Sequence, residues 1–240
     1  MRLSASSIDA YQTCPRLYQI TRLQKQRETE TYQAAVGTLF HAWQETWDGV
    51  TPPTWDTPAA NADEAVARGL CLAYFDQHLG TVVERLGAEM PFSVDFGTHT
   101  ITGKIDGVWR VDSETCVVEH KTTGMDLSKF LPMKAFDRQT TLYPLAAQSL
   151  GFNVDYVLLD MVHRPLIKKY DNYSHLTERV REGAVCRREK LYRTARDYEA
   201  LVADLDGIVK QMELEVYPRN PTACFKYGRM CDFHSTCSNG

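Results

Sequence analysis

The stretch Gly103-Lys-Ile-Asp106-Gly-Val-Trp-Arg-Val111, followed after a short polar turn by Val117-Val-Glu119-His-Lys121-Thr-Thr123, decides how this chain folds. Two runs rich in β-branched and aromatic residues, separated by Asp112-Ser-Glu114, predict a hairpin. Each run carries a carboxylate inside or at the end of an apolar segment, where an unpartnered charge is costly. In Glu119-His-Lys121 the strand period of two puts Glu119 and Lys121 on one face and points His120 away. With Asp106 facing them from the partner strand, the group supplies hard oxygen ligands for Mg²⁺ or Mn²⁺ and an ammonium beside the water to be activated. A buried salt bridge of Lys121 with Glu119 or Asp106 satisfies the same residues, and the hairpin alone leaves both open.

Working outward, Phe92–Phe96, His99–Val111 and Thr115–Lys121 read as a meander of three strands. Before them, helices are expected over Ser4–Tyr18, interrupted at Cys14-Pro15, over Ala34–Trp47 and over Ala62–His78, with a proline-rich loop at Thr51–Pro58. After them come a helix over Ala135–Leu150, a strand over Val154–Val162 and a short strand near Ile167–Tyr173. A long helix is expected from His175 to Val216, because Leu191, Tyr198, Leu205 and Met212 recur every seven residues and are joined by Leu201, Ile208 and Val209. Its early part gathers Arg179, Arg181, Arg187, Arg188, Lys190, Arg193 and Arg196 against Glu182 and Glu189, which suits either a phosphate-facing surface or a solvated helix face.

The whole chain, 240 residues with 43% hydrophobic and 24% charged, has enough apolar material for a sizeable core. Its 27 Lys and Arg against 31 Asp and Glu, a net charge of −4, exclude a protein that coats nucleic acid by charge alone but permit a local basic groove. No run approaches the roughly 20 apolar residues of a membrane span, the opening residues lack the pattern of a secretory signal, and a cytoplasmic setting is expected. No Walker-type phosphate loop is present, so a helicase motor is not expected in this chain.

Two further pairs lie at helical spacing. Gly37-Thr-Leu-Phe-His41 sets a histidine in an apolar helix with Glu45 one turn later, and Gln139-Thr-Thr-Leu-Tyr143 projects an amide and a phenol from one helix face. Each alone fits an ordinary structural role. Of the seven cysteines, Cys71, Cys116 and Cys186 sit singly, as small buried thiols do. Cys14 lies near the start, and Cys224, Cys231 and Cys237 lie together near the end.

Taken in order, these pieces resemble the PD-(D/E)XK nuclease superfamily, in particular its RecB-like branch with CRISPR-associated and phage-encoded members. The resemblance runs from Leu3-Ser-Ala-Ser-Ser through Cys14-Pro15, Gly37-Thr-Leu-Phe-His41, Gly103-Lys-Ile-Asp106, Glu119-His-Lys121 and Gln139-Thr-Thr-Leu-Tyr143 to the terminal cysteines. Ile105 stands where the motif's name has proline. It implies an α/β fold with a restriction-endonuclease-like mixed central sheet and a helical subdomain closed by a four-cysteine cluster. It further implies one nuclease domain over 1–240, with an N-terminal helical part at 1–90, a catalytic sheet core at 91–173 and a long helix with a cysteine-rich end at 174–240.

Carried over by position, the resemblance implies metal ligation by His41, Asp106, Glu119 and the main-chain carbonyl of His120. Lys121 would orient or deprotonate the attacking water and offset charge on the phosphate, Gln139 and Tyr143 would position Lys121, the water or the DNA backbone, and Glu89 is a further acidic candidate. Cys14, Cys224, Cys231 and Cys237 would hold a 4Fe-4S cluster, although the same thiolates, with His234 as a substitute, also suit zinc. The activity implied is Mg²⁺- or Mn²⁺-dependent hydrolysis of DNA phosphodiesters. An exonuclease on single strands or ends is expected, with a helicase, recombinase or CRISPR adaptation partner. A DNA-binding processing subunit and a redox-responsive DNA-binding protein are the alternatives.

Overall fold

The serine cluster at the start does what its chemistry favours. A short strand, β1 (Arg2–Ser4), turns into α1 (Ala5–Thr13) where the Ser4 hydroxyl accepts the Ser7 amide at 3.1 Å, a side-chain cap on an otherwise orphaned donor. Cys14 is extended, and Pro15 opens α2 (Pro15–Tyr18), so the expected interruption is present. Next come α3 (Tyr32–Thr46) and α4 (Ala62–His78), capped by Thr31 and Asn61. Then follow β2 (Glu84–Phe96), β3 (His99–Val111), β4 (Glu114–Thr123), α5 (Leu127–Ala135), α6 (Gln139–Ser149) and β5 (Tyr156–His163). The chain continues with α7 (Tyr173–Gly183), β6 (Val185–Leu191), α8 (Ala195–Glu213), a small hairpin of β7 (Phe225–Lys226) and β8 (Arg229–Met230), and α9 (His234–Asn239). This computed structural model describes residues 2–79, 81, 83–97, 99–167, 172–226 and 229–239.

The fold is mixed α/β around a mixed sheet, as expected. β3 and β4 pair antiparallel, with Val108 opposite Val117 and Trp109 opposite Cys116. β4 pairs in parallel with β5, and β5 antiparallel with β6. β4 and β5 are buried on both sides, which explains their nearly continuous apolar reading.

The contacts divide the chain into two compact units. One comprises Met1–Glu30, Ser93–Gly103 and Ala195–Gly240, the other Thr31–Phe92 and Lys104–Thr194. In the first, β1 pairs in parallel with Thr100–Thr102, and α8 buries Leu201, Leu205, Ile208, Val209 and Met212 along one face. In the second, Val36, Phe40, Leu70, Tyr74, Val162, Leu176 and Val180 form the core over the sheet. Gly69 permits the close approach of α4 and α7: a Cβ there would fall 2.6 Å from the Thr177 carbonyl oxygen and from Val180 Cβ.

Several expectations need correction. The helix expected over His175–Val216 is α7, then strand β6, then α8. Val185-Cys-Arg-Arg-Glu-Lys-Leu191 pairs with β5 along its full length, and that ladder overrides the seven-residue spacing to which Leu191 was assigned. β2 starts at Glu84, ahead of the expected Phe92, and β1 and α5 were not foreseen. The helix expected over Ala135–Leu150 begins at Gln139, after a break following α5. Of the strand expected near Ile167–Tyr173, residues 168–171 lie outside those described, and Tyr173 opens α7. Among the described residues no helix is long and apolar enough to cross a membrane.

Candidate active site

The register of the β3–β4 hairpin sets Gly107 opposite Val118, so Asp106 and Glu119 are the next residues to meet. Asp106 Oδ2 accepts the His120 amide at 2.9 Å, which ties the carboxylate to the partner strand. Alternation along β4 does the rest. Glu119 and Lys121 form an ion pair on one face. The His120 ring turns to the other, beside Phe40, Tyr74 and Trp109 and 3.6 Å from Asp160 Oδ2. Thus the imidazole of His120 is withdrawn from the group formed by its neighbours, and only its main chain faces it.

Other elements converge on this hairpin. From α3, His41 Nδ1 comes to 3.7 Å from Asp106 Oδ2. From β2, Glu89 adds its carboxylate, and His41, Glu89 and Asp106 each place one ligand atom within 4.8 Å of the other two. Glu89 has φ +46°, a left-handed conformation that costs a non-glycine residue about 1–2 kcal/mol, and its carboxylate also meets Lys104 Nζ at 3.4 Å. From α6, Gln139 Oε1 accepts Lys121 Nζ at 3.2 Å while Gln139 Nε2 donates to the Tyr143 hydroxyl at 3.0 Å. A lysine can only donate, so the amide oxygen must face Lys121; Tyr143 takes the other end and fixes the orientation. Tyr143 itself is buried edge-on against Phe92.

The electrostatics follow from burial. Desolvation raises Asp106 to about 6, against the pull of Lys121 and the His120 amide, with Glu89 adding to the rise. It raises Glu119 to about 7, opposed by Lys121 and reinforced by Asp106. For Lys121 burial works the other way, yet Glu119 and Asp106 outweigh it and raise the ammonium. Burial, then Lys121, lowers His41, opposed by Glu119, Glu89 and a hydrogen bond to the His120 main chain. Glu119 Oε2 has no hydrogen-bond partner among the described residues. Carboxylates that resist ionisation, an imidazole held toward its neutral form and an orphaned carboxylate oxygen form a donor set suited to a divalent cation with oxygen and nitrogen ligands.

Residues 2–238 match the profile of the PD-(D/E)XK nuclease superfamily. The chain belongs to that superfamily. A solved structure named "Putative exonuclease", from Eubacterium rectale, shares the fold of this PD-(D/E)XK protein with a TM-score of 0.59, at 12% identity over 93% of this chain and 85% of that one. Another, named SSO0001, gives a TM-score of 0.46 at 15% identity over 99% of this chain and 86% of that one. No curated protein matches the sequence.

Behind the hairpin lies a polar network that the sequence did not disclose. Asp160 on β5 is fully buried and accepts the Tyr74 hydroxyl at 2.5 Å and Arg188 Nε at 3.2 Å, while Arg188 Nη2 reaches the Tyr74 oxygen at 2.7 Å. Burial, joined by the charges of His41 and Arg188, keeps His120 well below the ordinary imidazole range and so neutral. The basic run that suggested a phosphate surface is largely engaged within the protein. Arg181 pairs with Asp76, Arg187 with Glu189 and Lys190 with Glu114, and Arg193 donates to the Ala135 and Thr140 carbonyls. A period-two reading of residues 185–191 was the signal available for turning Arg188 inward.

In the other unit, Cys14, Cys224, Cys231 and Cys237 line one cavity of about 170 Å³, walled also by Leu17, Ile20 and Phe233. The two stretches of chain are held by Asn220, whose side chain donates to the Thr13 carbonyl at 2.8 Å and whose amide lies 3.4 Å from Cys14 Sγ. The thiols are not drawn into a tight cluster: among the described residues no three of these sulfurs lie within 4.8 Å of one another. Cys71 and Cys116 are buried single thiols and Cys186 is half-buried. Burial pushes Cys116 to about 11 and Cys186 to about 12.

Proposed function

We propose that this chain is a Mg²⁺- or Mn²⁺-dependent deoxyribonuclease, acting as an exonuclease on single-stranded DNA or on DNA ends. The observation that carries the reading is the junction of Asp106, Glu119 and Lys121 on one hairpin, with Gln139 and Tyr143 holding the lysine from α6. Asp106, Glu119, His41 and the His120 carbonyl would hold the cation, and Glu89 joins them because its carboxylate falls in the same tight group. A bound divalent cation supplies a lowered water pKa and stabilises charge developing on the phosphate.

The chain's own residues do the remaining work. Lys121, kept charged between Glu119 and the Gln139 oxygen, holds a proton donor beside the attacked phosphate and offsets its growing negative charge. Tyr143 fixes the Gln139 amide, so that Lys121 has a set position rather than a range of rotamers. We further propose that Cys14, Cys224, Cys231 and Cys237 hold a 4Fe-4S cluster. Four thiols lining one apolar-walled cavity support it.

The test is cleavage of end-labelled single- and double-stranded DNA, linear and circular, by anaerobically purified protein with Mn²⁺ or Mg²⁺, beside Lys121→Ala. Degradation of linear DNA by the wild type only, with circles spared, is the expected result. An inert wild type that is folded and brown would sink the catalytic reading and favour a DNA-binding subunit acting with a helicase, recombinase or CRISPR adaptation partner.

A further inference from the structure

The parallel strands β4 and β5 end together at Thr123 and His163, and the residues that follow them, Gly124 and Arg164, line an open cavity of about 450 Å³. Ligands of α/β sheets collect outside the carboxyl ends of parallel strands. The cavity has an apolar floor of Leu176 and Val180 and a rim that includes Tyr32, from the first turn of α3.

Arg164 is the unusual lining residue. Its guanidinium lies 4.5 Å over the Tyr32 ring, and among the described residues its side chain has no ion pair or hydrogen bond. Arg181, Arg187, Arg188 and Lys190 all pair with carboxylates. Asp63 lines the same cavity, yet no ion pair joins it to Arg164. A stacked guanidinium with its donor fork uncommitted is preorganised for a phosphate. Gly124 makes room for it: a Cβ there would lie 2.7 Å from Arg164 Nη2.

The cavity is continuous in sequence with the catalytic strand. A smaller cavity lined by Gln33, Thr122, Thr123, Gly124 and Arg164 leads back along β4. Two residues of strand, Thr122 and Thr123, separate Lys121 from Gly124, a rise of about 10 Å.

We infer that this cavity binds one nucleotide unit of the DNA strand, its phosphate on the Arg164 guanidinium and its base on Tyr32 and the apolar floor. The inference rests on the nuclease reading and adds to it the path of the strand away from the hairpin.

The experiment measures binding of a short fluorescein-labelled oligothymidylate by anisotropy, in Mn²⁺ over a series of salt concentrations, with full-length Lys121→Ala as parent. Adding Arg164→Gln is expected to weaken binding about fivefold to tenfold and to flatten the plot of log affinity against log salt by about 0.7, the share of one phosphate on a single strand. Gly124→Ala, which displaces the guanidinium, is expected to move both quantities the same way, and Tyr32→Leu to weaken binding with the slope kept. A folded Arg164→Gln protein with the parent's affinity and slope overturns the proposal; if that variant does not fold, the slope of Gly124→Ala decides it. A parent that binds no oligonucleotide overturns the nuclease reading itself, and the cavity's assignment falls with it.

Discussion

Replacing Glu119 by glutamine should make the metal-free protein more stable while removing its activity. Glu119 is 1% exposed, and burial outweighs Lys121 to raise its pKa from the ordinary 4.5 to about 7. A raised carboxylate pKa means that the unfolded chain releases its proton first. The native state therefore carries no penalty below about pH 4.5, an increasing one between 4.5 and 7, and the full one above 7. The penalty amounts to about 1–3 kcal/mol. For a chain of this length 1 kcal/mol moves the melting temperature by about 2 °C, so Glu119→Gln should melt about 2–6 °C higher at pH 8.5 and at the wild-type temperature at pH 4.5. Excess Mn²⁺ should reverse the order, because a cation at about 1,000 times its Kd adds about 4.1 kcal/mol to the wild type and little to the variant. Calorimetric melts at both pH values, with and without Mn²⁺, provide the measurement. A variant less stable than wild type at pH 8.5 without metal would refute the reasoning, since Glu119 would then be content as an ion-pair partner rather than poised for a cation.

Lys121→Ala should lower kcat by about 10²–10³ and leave Mn²⁺ binding in place, as isothermal titration beside a cleavage assay would show; lost metal affinity would mean that Lys121 supports the ligands instead. Because Asp106 and Glu119 titrate near 6 and 7, Mn²⁺ binding at pH 6.5 should release about one proton and at pH 8.5 almost none, read from titrations in buffers of different ionisation enthalpy. Serine at Cys14, Cys224, Cys231 or Cys237 should reduce soluble yield and melting temperature before it alters turnover, and a soluble, active, metal-free quadruple variant would contradict a structural role for the thiols. Asp160→Asn leaves the buried Arg188 guanidinium unpaired and should cost about 3–5 kcal/mol in urea unfolding, whereas a loss under 1 kcal/mol would show that Tyr74 alone suffices.

What could be read in advance and what could not differ for physical reasons. The β3–β4 hairpin was legible because its signals are local: apolar alternation, a polar turn and carboxylates placed where burial demands a partner. The start of α4 at Ala62 and the break at Cys14-Pro15 are equally local and came out as expected. β6 was hidden because Arg187, Arg188, Glu189 and Lys190 fill its middle, and a charged strand is recognisable only once Asp160 on the adjacent β5 and Tyr74 on α4 are seen to receive Arg188. Glu89 was an acidic candidate by resemblance alone, and its placement was hidden in a different way. Gly87 and Pro91 interrupt the strand pattern around it, and its φ of +46° departs from the extended backbone that strand periodicity assumes. Its carboxylate lies beside the His41 imidazole and the Asp106 carboxylate, residues 48 positions before and 17 after it, a convergence with no counterpart in local sequence spacing. The strain at Glu89 is therefore best understood together with the carboxylates it joins: like charges that repel in the metal-free protein would become mutually supporting ligands once a cation sits among them, and the cost of the backbone and the raised pKa of Asp106 would be recovered in the same event.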